Sequence, residues 1–189
     1  MNRYMTLPQL IEEAGRIAEQ VRADYGALSP AQLNWKPSPN DWSVGQCFDH
    51  LLIANGSYFP VFERMLDPAR RASLLERLPL LPGLWGGLLI SMLDPANPGR
   101  GGQAPVVFRP TSSAVPAGIV GHFLEQQQRL VGCFEQHRSS PLDRVIVTSP
   151  AAGFVTYSAL DACRIIVVHE QHHLVQIAAV TRVPGFPAA

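Results

Sequence analysis

Lysine is almost missing from this chain: of fifteen basic residues only Lys36 is one, and fifteen acidic residues bring the formal net charge to zero. Without an excess of either sign there is no long-range field to gather nucleic acid or an anionic membrane, so neither is an expected partner. Cysteine is scarce as well. Cys47, Cys133 and Cys163 are odd in number, widely spaced and form no CxxC. The opening MNRYMTLPQLIEEAG has no apolar signal core, and from the two features together a cytoplasmic location is expected. Long hydrophobic runs are missing too. LPLLPGLWGGLLISML, residues 78–93, is sixteen residues long and interrupted by Pro82, Gly83, Gly86 and Gly87, which falls short of a membrane span. There is no nucleophile elbow. The glycine cluster of NPGRGGQAP, expected to be a mobile loop, leads into Pro105 and not a helix, which argues against phosphate binding.

What remains is helical patterning in one domain, residues 1–189. A 47% hydrophobic content can fill a single core at this length. Thr6 with Gln9 forms a capping-box pattern, and Leu10, Ala14, Ile17 and Val21 give the apolar stripe of a first helix ending near Gly26. Ser29 to Asp41 is a Pro-rich connection with one short turn at SPAQL. Ser43 with Gln46 starts a second helix running to about Met65, which Pro60 kinks or ends early. Ile119, Phe123, Leu130 and Phe134 mark a third helix from about Pro116 to His137. RVIVT is read as a short extended piece, and the last helix begins near Ser158.

The last helix carries the chemistry. HEQHHLVQ, from His169 to Gln176, sets His169 and His173 one turn apart on one face, the spacing two imidazoles need to bind one ion. The same residues satisfy HExxH, the pattern of a zinc protease. That reading fails because a zincin takes its third ligand downstream, and LVQIAAVTRVPGFPAA contains no Asp, Glu, His or Cys. The third ligand is therefore sought upstream, and His50 in the second turn of the second helix is the best candidate. Cys47, His50, Ala54, Ser57 and Val61 repeat at three and four residues, as do Ala162, Ile166, His169, His173, Gln176 and Val180. Both stripes have the spacing of bundle seams. One shared metal would satisfy three imidazoles that otherwise need separate partners.

Other polar residues are weaker candidates. Glu170 and Asp49 each adjoin a ligand in sequence and turn about 100° off its face, better aimed for interhelical or surface contacts than for general-base work. His172 falls at the pocket edge or against a neighbouring helix, and Gln176 could orient a ligand or a bound water. Cys47 is one turn before His50, a fourth ligand or simply a buried thiol. Ala54 and Ser57 are small and leave space near the ion. His122 has no ligand-like partner, and His137 near a helix C-terminus is read as favouring the helix dipole.

LNWKPSPNDWSVGQ, the WSVGQCFDHL segment, the late HxxxH pair with Gln three residues on, and the RVIVTSPAAGFVTYSALDA lead-in together resemble the DinB/YfiT-like family of metalloenzymes. The resemblance implies an all-α four-helix bundle with a divalent metal, commonly zinc or nickel, held by one His from the second helix and two from the last. By position these are His50, His169 and His173. It implies thiol-dependent isomerase or S-transferase chemistry with a low-molecular-weight thiol, or metal-dependent hydrolysis of a small-molecule substrate. The DNA-damage association of the family's name finds no counterpart in the balanced charge. Residues 67–115, between the second and third helices, are too long and too apolar for a plain loop. They are expected to hold short helices laid on the bundle, with a lid or a dimer surface as alternatives; the apolar insert and the family's habit point to a homodimer. A different class of reading is a non-catalytic bundle whose ion is structural or stress-related.

Overall fold

The computed structural model describes residues 4–65, 67, 69–78, 81–96 and 104–188. Its elements are α1 (Leu7–Tyr25), α2 (Pro30–Asn34), α3 (Val44–Gly56), α4 (Phe59–Met65), α5 (Leu81–Leu93), α6 (Ile119–Gln136), β1 (Ile146–Thr148), β2 (Thr156–Ser158) and α7 (Ala159–Val180). The long helices α1, α3, α6 and α7 form the bundle expected from the sequence. α1 packs on α6 and α7, and α3 packs on the same two helices. Consecutive bundle helices, α1 with α3 and α6 with α7, thus occupy opposite corners. Each connection between them crosses an end of the bundle, by way of α2 in one and the β1–β2 hairpin in the other.

Local chemistry explains the boundaries. The Gln9 side-chain carbonyl accepts from the Thr6 N–H at 2.8 Å. Ser43 accepts from the Gln46 N–H at 3.1 Å, starting α3, and Ser29 with Gln32 does the same for α2. The expected second helix is two: α3 stops at Gly56 and α4 begins at Phe59. Pro60 has no N–H to give the Gly56 carbonyl, and Tyr58 N–H turns back to Asn55 instead, at 3.0 Å. RVIVT is extended as expected, and its partner is β2, paired antiparallel with Val147 opposite Tyr157.

Among the described residues the 67–115 insert contains one α-helix, the 13-residue α5, which runs through its glycines and lies on α7 and β2. Gly86 is where the two helices meet: a Cβ there would sit 2.6 Å from Asp161 Oδ2. At the other end of the insert Gly45 of α3 passes Val115 so closely that a Cβ would run into its Cγ2. Most of the expected NPGRGGQAP loop, residues 97–103, lies outside the described residues. Among the described residues no helix is long and apolar enough to cross a membrane.

Candidate metal centre

α3 and α7 bring His50, His169 and His173 together, as the sequence suggested. His50 and His173 are buried and His169 is half-buried. Their ligand atoms all lie within 4.8 Å of one another, and His169 Nε2 is 3.0 Å from both His50 Nε2 and His173 Nε2. The tautomer of His50 is set from the far side of the ring: its Nδ1–H donates to the Phe108 carbonyl at 2.6 Å, leaving a lone pair on Nε2.

That geometry is awkward for protein alone. A neutral imidazole has one donor and one acceptor nitrogen, so a single hydrogen on His169 Nε2 cannot serve two nitrogens at 3.0 Å. Charging a ring is no remedy. Burial, together with repulsion from His50 and His172, lowers the His169 pKa to about 3, and burial with the neighbouring imidazoles holds that of His173 well below its ordinary value. Three neutral rings with converging Nε2 atoms are the donor set a divalent ion takes, and the residues fit that group.

Trp42 closes one side of the triad, stacked on His173 with ring centroids 6.1 Å apart and tilted against His50 at 5.0 Å. Neither Trp42 nor the Phe108 carbonyl was singled out from the sequence. Trp42 stood inside the WSVGQ motif, one residue before the Ser43 cap, and that adjacency was the available signal. Phe108 contacts His50 across 58 residues of chain and left none.

The triad opens into a cavity of about 1320 Å³. His172 and Gln176 line it, and their side chains meet at 2.9 Å. His172 also reaches the backbone of Leu93 at the end of α5, so it touches both the pocket edge and the neighbouring helix. Cys47 lines the cavity but stands outside the cluster of donors, and burial pushes its thiol up to about 12, which keeps it protonated. Ser57 does not line the cavity; its hydroxyl donates to the Ala54 carbonyl at 2.6 Å, while Ala54 supplies the small wall.

Neither carboxylate beside the ligands lines the cavity. Asp49 accepts from the Thr111 N–H at 2.6 Å and its hydroxyl at 2.9 Å, tying the end of the insert down beside the site. Glu170 is fully buried between helices. It accepts from Asn55 Nδ2 at 2.7 Å and Gln127 Nε2 at 3.0 Å, and Gln127 also donates to the Ala14 carbonyl at 3.3 Å. Burial raises its pKa to about 8 against the pull of the two amides. His122 is exposed on α6. His137 caps α6, but its ring is buried with neither nitrogen partnered, and burial lowers its pKa. A neutral ring has no charge to offer the dipole, which overturns that expectation.

No curated protein and no solved structure matches the chain. A family model does: that of the DinB superfamily covers residues 14–177, from the middle of α1 to the last turn of α7, taking in all three histidines. The chain belongs to the DinB superfamily.

Proposed function

We propose that the protein is a metal-dependent enzyme that holds one divalent ion, zinc or nickel, on His50, His169 and His173 and acts there on a small molecule by thiol-dependent S-transfer or isomerisation. The observation that carries this reading is the convergence of three Nε2 atoms at the wall of a large cavity. When bound, such an ion would supply Lewis acidity and an open coordination position for a thiol or another nucleophile. The chain's own residues do the rest. The Phe108 carbonyl holds the Nδ1 proton of His50, Trp42 covers the rings of His50 and His173, and the bond from Thr111 to Asp49 keeps the insert in place as part of the cavity wall.

Hydrolysis is the second reading. Thiol chemistry is favoured over it because, among the described residues, the only carboxylate lining the cavity is the exposed Asp41. A hydrolase ordinarily adds a general base, whereas a thiol lowered in pKa by an ion needs none. Cobalt-substituted protein tests the reading. Adding a small thiol should give a sulfur-to-cobalt charge-transfer band in the near ultraviolet, absent in His173→Ala. One cobalt per chain with no spectral response to any small thiol would leave a structural ion.

A further inference from the structure

The cavity is larger than the triad requires. At about 1320 Å³ it exceeds the roughly 300–1,000 Å³ of ordinary small-molecule sites. It continues along the groove between α3 and α7, which run antiparallel: His50 faces His169 and His173, Asn55 faces Glu170, and the Tyr58 hydroxyl meets that of Tyr157, just ahead of α7, at 2.8 Å. Asn55 and Tyr58 therefore mark an inner lobe on the hairpin side of the triad. Helical rise puts Asn55 about 7.5 Å along the axis from His50.

On this side the cavity-lining residues include Ile165 and Ile166, one turn before His169 and Glu170 on α7, and Val155 and Ala152 of the hairpin beside Tyr157. Nothing charged is among them, and among the described residues the cavity's two charged lining residues, Asp41 and Arg109, are both exposed. One feature of the lobe is unfinished. Asn55 lines the cavity and is 1% exposed; its Nδ2 is committed to Glu170, while its Oδ1 is buried and has no partner. A buried acceptor left unpaired beside an apolar space is costly for the fold and selective for whatever supplies the missing donor.

We propose that the inner lobe is a recognition site for a neutral, largely apolar ligand, or that part of a substrate, bearing one N–H or O–H that donates to Asn55 Oδ1. This deepens the proposed function by naming the class of molecule presented to the triad, and it rests on that reading only for what happens at the ion. Charged ligands are disfavoured by the uncharged wall, and hydrocarbons without a donor leave Oδ1 unpaired.

Indole and benzothiophene test the proposal, being nearly the same shape with and without an N–H. Each is titrated into the full chain, metal-free and zinc-loaded, with the isoleucine methyl groups followed by NMR. Indole should shift the Ile165 and Ile166 methyls and bind about tenfold more tightly than benzothiophene, the worth of one hydrogen bond. Asn55→Leu should bring the two affinities together, and Ala152→Phe, which fills the lobe without touching Glu170, should weaken both. Equal binding in the parent, a preference that survives Asn55→Leu, or no binding at these methyls overturns the proposal. If Asn55→Leu fails to fold, the parent and Ala152→Phe still decide. Loss of zinc binding with the indole preference intact would count against the metal reading alone, and the reverse result against the lobe alone.

Discussion

His169 and Glu170 are neighbours on α7, yet they belong to two polar layers built on opposite principles. Around Glu170 donors meet acceptors: both carboxyl oxygens receive an amide N–H, from Asn55 of α3 and Gln127 of α6, and Gln127 reaches on to α1. That layer joins all four bundle helices with protein atoms alone. Around His169 acceptors meet acceptors, three Nε2 atoms converging with too few hydrogens to share. A bundle core tolerates the first arrangement as structure. The second is intelligible as a site for a cation, and a rotation of about 100° along α7 separates the two.

The comparison can be broken by taking the ion away. Bound at a free concentration of about a thousand times its dissociation constant, it should stabilise the parent by about 4 kcal/mol in urea unfolding, and His173→Leu should be indifferent to it. The Glu170 layer should behave the other way. Glu170→Ala, which strands the Asn55 and Gln127 donors, should cost about 3 kcal/mol with or without metal. Glu170→Gln should cost less in the fold, since its side-chain oxygen still accepts one of the two amide N–H groups.

Titration of metal-free protein sharpens the contrast, because the layers push stability in opposite directions. Glu170, raised to about 8, keeps in the fold a proton that the unfolded chain releases above its ordinary carboxyl range near 4.5. Its contribution is therefore fully present below about 4.5 and is lost as pH rises through about 8, by up to about 1.4 kcal/mol per unit. His169, lowered to about 3, stays neutral while the unfolded chain takes up a proton below about 6.5, so its contribution is lost on acidification. Urea midpoints against pH should show both limbs, with Glu170→Gln flattening the alkaline one and His169→Ala reducing the acid one, to which His50 and His173 also contribute. The smallest effect belongs to the cover of the site: Trp42→Leu should weaken ion binding about fivefold, about 1 kcal/mol, without moving stability in the metal-free state by as much.

The two layers were also unequally legible in the sequence. His169 and His173 announce themselves because an uninterrupted helix makes i, i+4 a statement about a shared face. His50 followed from the Ser43–Gln46 cap, which sets its place in the second turn of α3. The Glu170 layer had no such signal, since its partners lie 115 and 43 residues away on helices whose rotation only packing decides. Phe108 was hidden for the same reason, in an insert whose path over the bundle depends on close approaches such as Gly45 with Val115. Strand β2 is three residues long and flows into the α7 cap, too short for its alternation to register. The break between α3 and α4 was half legible: Pro60 marked it, but the turn falls at Ser57 and Tyr58, where the lost hydrogen bond is felt.

The central claim, that three converging imidazoles are a cation site and not a polar core, is tested most directly by elemental analysis of protein purified without a histidine tag, with His169→Ala beside it. About one divalent ion per chain in the parent and none in the variant is the predicted result. A parent that remains metal-free after resupply with zinc, nickel and the neighbouring divalent ions would contradict it.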